Sequence, residues 1–233
     1  MNIGIIVAMD KEFAQLKSLL AGATTESRHG KDFVTGTIGH HTLTLQQCGI
    51  GKVNAAIGTV EMITACAPDL VISTGVAGGA DCTLNVQDVV IGTEYTYHDA
   101  YCGDACAPGQ LQGMPARYRM ADTLHAAIAK TEKECLGRGE NRLRKGLIVS
   151  GDWFVDTREK MRDILADFPD ACAVDMESCS IAQTCYIYNT PFVSMRVISD
   201  VPLRDTKASQ YFDFWNRLAD ESFGITRTFL QNL

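Results

Sequence analysis

The sequence is short of positive charge. Its 21 lysines and arginines are outnumbered by 28 aspartates and glutamates, giving a formal net charge of −7 and a sequence pI near 5.2. Nucleic-acid backbones and anionic membranes both reward a basic face, so neither is expected as the main partner, and a small neutral or cationic ligand fits better. Long apolar runs are missing too. The opening MNIGIIVAMDKEF has no positive leader, and its apolar stretch falls well short of the roughly 18 residues a membrane span needs, so a strand is expected there and not a signal or an anchor. No linker, low-complexity tract or internal repeat divides the chain. Its 233 residues, 46% of them hydrophobic, can bury a full core, which suits a single domain over residues 1–233.

Nucleotide-loop signatures are also absent. GIGKV (49–53) lacks the earlier glycine of a phosphate loop and has Val53 where Ser or Thr is needed, while GVAGGA (75–80) lacks the G-x-G-x-x-G spacing. Glycines at a strand end still permit close approach of backbone to a ligand. The nine cysteines are scattered from Cys48 to Cys185, mostly in apolar segments, which points to reduced thiols in a cytoplasm. His98, Cys102 and Cys106 are spaced so that a helix would present them as metal ligands. Gly103 and the following APGQ oppose a helix and no fourth ligand is evident, so a loop with two free thiols is expected, and no metal.

What is present is an alternation of strands and helices. Residues 2–8 read as a buried strand. A helix follows with Phe13, Leu16 and Leu20 at helical spacing, Asp10 as N-cap and Gly22 as its stop. Strands are expected at 32–38 and 42–48, joined by a GHH hairpin, then a helix over 51–65 with Val53, Ile57, Val60 and Thr64 on one face. A short strand at 70–74 should end in a glycine turn at 75–79, with another strand at 88–97. Residues 99–117 form a loop too long to be a mere connector. Helices at 122–134, 157–168 and 177–188, strands at 147–150 and 192–198, and a C-terminal helix from about Ser209 complete the reading.

Such alternation predicts an α/β domain with helices on both faces of a mixed sheet, and ligands in such sheets sit outside the carboxyl ends of the strands. That rule gathers Glu12, residues 75–79, residues 152–154, Asp175 to Glu177, and Ser199 with Asp200 onto one edge. Singly these are weak signals. Glu12 could simply complement a helix dipole, and Asp175, Glu177 and Asp200 could be turn or helix-start residues. Together with Arg196 they form the acid and base set that hydrolytic chemistry requires.

The motifs IGIIVAMDKEF, CGIGKVNAA, STGVAGGA, YHDA, GLIVSGDWF, AVDMES and PFVSMRVISD, in this order, resemble those of the 5′-methylthioadenosine/S-adenosylhomocysteine nucleosidases of the purine nucleoside phosphorylase-like superfamily. The resemblance implies a three-layer α/β/α sandwich with a mixed, twisted central sheet. It implies hydrolysis of a ribose N-glycosidic bond, with adenine leaving from an oxocarbenium-like sugar and no metal or organic cofactor. On that footing Asp200, oriented by Ser199, protonates N7 of the base, and Glu12 activates the attacking water, with Arg196 holding water and carboxylates. Phe154 stacks on adenine and the Val155 backbone reads its edge. Glu177 accepts the ribose hydroxyls, with Met176 beneath the sugar. Met9, Ile50, Val76, Ala77, Gly78 and Phe212 complete the substrate contacts.

Three departures accompany the resemblance. Val76 stands where the family commonly has Ser, Asp175 shortens the first acid of its EME, and YCGDACAPGQLQGMP lacks the aromatic residues expected to wrap a 5′-alkylthio group. The reaction is therefore better specified than the 5′ substituent. The partners implied are a small nucleoside and a second copy of the chain in a homodimer, without nucleic acid or membrane. A futalosine-type nucleosidase, a phosphate-dependent phosphorylase and a non-catalytic nucleoside-binding protein are the alternatives.

Overall fold

The computed structural model describes residues 1–137, 143–204, 214 and 224–233. Strand β1 (Asn2–Val7) is flanked on both sides by parallel neighbours, β4 (His41–Gln47) and β5 (Leu70–Gly79). That double flanking explains why its sequence is an unbroken apolar run and not an alternation. β3 (Lys31–Ile38) joins β4 through the expected hairpin.

Helix α1 (Asp10–Lys17) starts one residue earlier in its cap than the sequence suggests: Met9 is the N-cap, Asp10 the first helical residue, and the helix ends before Gly22. Gly22 instead lies in β2 (Ala21–Arg28), at φ +63 beside a register shift against β3. β2 is missing from the sequence reading because it is almost wholly exposed. It packs nothing and so carries no hydrophobic period.

The glycine stretch is also not a turn. β5 continues through Gly79, paired with β10 (Phe192–Asp200) as Arg196 with Gly75 and Ile198 with Ala77, and with β9 (Ala171–Asp175) as Gly78 with Val174. Strands β6 (Val89–Tyr97), a two-residue β7 (Tyr118–Arg119) and β8 (Leu143–Ser150) complete a ten-stranded mixed sheet. β5, β10, β6, β8 and β9 pair in succession and return to β5, so this half closes into a ring, while β1, β4, β3 and β2 extend as an open sheet.

Helices cover both faces. Leu16 of α1, Ile128 and Cys135 of α3 (His125–Gly137), and Phe229 and Leu230 of α6 (Gly224–Asn232) pack with β1, β4, β5 and β10. Ala55 and Met62 of α2 (Lys52–Cys66) and Cys179, Ile181 and Cys185 of α5 (Ser178–Ile187) occupy the other side. Met161 and Ile164 of α4 (Arg158–Asp167) close on β8 and β9, and Thr157 caps that helix by accepting from the Lys160 amide. This is the expected α/β/α arrangement, a mixed sheet with helices on both faces. The stripe predicted along α2 faces outward: Val53 is 69% and Ile57 48% exposed, and small residues, Ala55, Gly58 and Thr59, make the inward contacts with Met62. Of the C-terminal helix expected from Ser209, only Phe214 and α6 fall within the described residues.

Candidate active site

β1, β5, β9 and β10 deliver their ends to one cavity. Its lining contains Met9, Glu12, Ile50, Val76, Ala77, Gly78, Phe154, Val155, Met176, Glu177, Ser199 and Asp200, all expected from the sequence. It also contains Trp153 and Asp175, which the strand-end rule placed on this edge without a substrate role, and Ala8 and Val174, which were not expected. Arg196 lies fully buried behind these groups, and Phe212 falls outside the described residues.

Glu12 is 2% exposed and is held on three sides. One carboxylate oxygen accepts the amides of Ala8 and Met9, each at 3.0 Å, and the other accepts the Val76 amide at 3.1 Å. The bond from Met9, the N-cap, is the reciprocal half of a capping box, so the acid both starts its helix and faces the cavity. Burial raises its pKa, against the lowering influence of Arg196 and of those amides. The Val76 contact is a backbone one, so losing the hydroxyl common at this position leaves Glu12 anchored. The reason for a glycine at 75 is direct: a Cβ there would lie 2.5 Å from a Glu12 oxygen and 2.6 Å from an Arg196 nitrogen.

Arg196 organises the floor. Its Nε donates to Asp175 at 2.7 Å and its Nη2 to the Ser73 hydroxyl at 2.9 Å, with a Glu177 oxygen 3.9 Å from that same nitrogen. Asp175, which the sequence left without a role, is the guanidinium's direct partner, and also accepts from Ser150 and Ser178. Breaking such a buried pair typically costs about 3–5 kcal/mol. Three acids, Glu12, Asp175 and Glu177, thus surround one guanidinium, and simultaneous charge on all three would bury a net negative cluster.

Glu177 answers that constraint. Its Oε1 accepts the Gly51 amide at 2.9 Å, while burial, and then the Asp175 charge, push its carboxyl up to about 7. An acid raised this way binds its proton more tightly folded than unfolded. Its stabilising contribution is therefore full below the unfolded value of 4.5 and is lost as pH rises through about 7. Ligand-free protein is expected to lose on the order of 3 kcal/mol from this group across that window. The check is thermal unfolding of wild type and Glu177→Gln from pH 4.5 to 8; identical pH dependence in both would refute the assignment.

Asp200, at the end of β10, forms no ion pair among the described residues. Burial raises its pKa, the Ser199 hydroxyl, donating at 2.6 Å, opposes the rise, and the nearby Asp156 charge reinforces it. An acid buried without a cation keeps its proton longer than an exposed one. Phe154 and Trp153 remain 48% and 55% exposed and line the same cavity. Among the described residues no group of three His, Cys, Asp or Glu side chains is placed to hold a metal ion.

Residues 2–231 match the family profile of the phosphorylase superfamily. In three dimensions the chain is similar to the 5′-methylthioadenosine/S-adenosylhomocysteine nucleosidase of Colwellia psychrerythraea 34H, solved with adenine: 35% identity, TM-score 0.92, covering 100% of this chain and 96% of that one. The corresponding enzyme of Neisseria meningitidis, solved with methylthio-immucillin-A, has 35% identity and a TM-score of 0.92, covering 100% of this chain and 99% of the other. The futalosine hydrolase of Helicobacter pylori has 25% identity and a TM-score of 0.89, with 100% and 98% covered.

Proposed function

The chain belongs to the phosphorylase superfamily and, within it, to the 5′-methylthioadenosine/S-adenosylhomocysteine nucleosidases, and from that membership we propose that it hydrolyses the N-glycosidic bond of 5′-methylthioadenosine, S-adenosylhomocysteine or 5′-deoxyadenosine. Adenine and the 5-substituted ribose are the products. The observation that carries the reading is a cavity that receives both a partly buried Asp200, without an ion pair among the described residues, and a Glu12 fixed by three backbone amides.

The roles follow from those environments. Asp200 donates its proton to N7, so adenine departs neutral, and Ser199 orients the carboxyl. Positive charge growing on the sugar is met by Glu177, which accepts the ribose hydroxyls, and Met176 lies against the sugar. Glu12 takes the proton of the attacking water, with Arg196 fixing the surrounding carboxylates. Phe154 stacks on the base, the Val155 backbone reads its edge, and Met9, Ile50, Val76, Ala77 and Gly78 shape the remainder.

Water is favoured over phosphate as the acceptor on charge grounds. The cavity is lined by Glu12, Asp175, Glu177 and Asp200, and the adjacent guanidinium is already engaged by Asp175 and Ser73. Incubation with methylthioadenosine, adenosylhomocysteine, 5′-deoxyadenosine, futalosine or inosine, with and without phosphate, tests this directly. Adenine release without phosphate is expected, and strict phosphate dependence or no turnover would overturn it. A preference for futalosine is the second reading, favoured by the atypical 99–117 loop and the likeness to the H. pylori hydrolase.

The enzyme acts as a cytoplasmic homodimer in nucleoside catabolism and methionine salvage. All nine cysteines are free, which suits a reducing compartment, and no helix among the described residues is long and apolar enough to cross a membrane. Exposed Val53 and Ile57 on α2, with Tyr186 and Ile187 at the end of α5, supply an apolar surface for a second copy. A dimer mass in solution is expected, reduced to that of a monomer by charged substitutions at Val53 and Ile57.

A further inference from the structure

One polar cluster beside the cavity has no part in the chemistry above. The Asp99 carboxylate accepts the Lys52 ammonium at 2.7 Å and the Asp152 amide at 2.8 Å through one oxygen. The Asp152 carboxylate in turn accepts the Lys52 amide at 2.8 Å. Three segments distant in sequence are tied at one point: the start of α2, the start of the 99–117 loop, and the 152–155 stretch that carries the cavity aromatics.

The geometry around the tie leaves little slack. Gly51 has φ +94, and a Cβ there would lie 3.0 Å from the Asp152 carboxylate. A Cβ on Gly151 would lie 2.4 Å from the His98 ring and 2.8 Å from the Asp99 carboxyl carbon. The Lys52 carbonyl is fixed from below by the Ser180 hydroxyl at 2.7 Å. Burial alone would raise the Asp99 pKa, yet the Lys52 ammonium and the Asp152 amide hold it below the usual range. Lys52 and Asp99 are both partly exposed, and ion pairs of that kind contribute little to stability. Their effect is on placement: the residue they pin stands next to Gly51, whose amide donates to Glu177.

We infer that Lys52 and Asp99 are positioning residues for the ribose-binding carboxylate, joining the Gly51 amide that orients Glu177 to the 152–155 stretch that lies against the base. The inference rests on the nucleosidase reading given above. It implies that the base half and the sugar half of the cavity are set at a fixed separation by the clamp, without either residue touching substrate.

The test uses a 5′-methylthio adenine nucleoside and its 2′-deoxy counterpart, with kcat/KM measured for wild type, Asp99→Ala, Lys52→Met and Lys52→Arg. A misplaced Glu177 should cost the ribo substrate about 10–100-fold, the range expected of an ångström-scale displacement. The same variants should lose no more than about threefold on the deoxy substrate, which offers Glu177 one hydroxyl fewer. Lys52→Arg should recover most of the difference. Equal losses on both substrates, or none, would overturn the positioning role. Wild-type protein inert towards every nucleoside would overturn the nucleosidase reading itself.

Discussion

Asp200→Asn is expected to abolish turnover while leaving binding nearly intact. Asparagine keeps the shape and can still hydrogen-bond the base, but it has no proton to deliver to N7. Adenine would then have to leave as an anion. Positioned proton transfer contributes about 10²–10⁴-fold, so kcat should fall by that factor while KM stays within a few-fold. The physical basis is the contrast between the two ends of the cavity. Glu12 sits among three amides and near a guanidinium, whereas among the described residues it is the Ser199 hydroxyl that opposes the desolvation of Asp200. The raised pKa also fixes the sign of the pH response: activity through Asp200 needs the protonated acid, so this limb falls as pH rises. Single-turnover adenine release, with nucleoside affinity measured separately, decides the matter. A variant within tenfold of wild type would place the acid elsewhere.

The parts of this molecule legible in the sequence are those where one local cause dominates. β1 and β10 are apolar because they are flanked on both sides, and α4 begins at Thr157 because a hydroxyl satisfies a free amide. Glu12, Glu177 and Asp200 stand out as acids that interrupt such patterns, and their meeting in one cavity was foreseeable from the strand-end rule. Other features have causes that lie across the fold. The glycines of 75–79 look like a turn, but their small size serves β9, β10 and the approach of Glu12 and Arg196. The stripe on α2 has helical spacing, yet spacing does not say which face meets the core. Asp175 looked like a shortened acid without purpose because its partner Arg196 lies 21 residues away. The Gly51 amide that holds Glu177 carries no residue identity at all.

Glu12→Gln is the second substitution expected to have a large effect, and it should differ from Asp200→Asn by disturbing the fold as well as the chemistry. The carboxylate accepts three backbone amides, two on one oxygen and one on the other. Glutamine retains an acceptor for the Ala8 and Met9 pair only by turning its NH2 towards the Val76 amide and the Arg196 guanidinium, where donor meets donor. A buried amide left unpaired costs about 1–3 kcal/mol, so a lower Tm is expected. Turnover should fall by about 10²–10⁴-fold, because a neutral amide cannot take the proton of the attacking water. Adenine affinity should change little, since the proposed reading assigns the base to Phe154 and Val155, elsewhere in the cavity lining. Adding Asp200→Asn to this variant should reduce the rate far less than the product of the two single effects. Acid and base serve one transition state, and once either is missing the other has less to act upon. If the two losses multiplied in full, the carboxylates would be acting in separable steps.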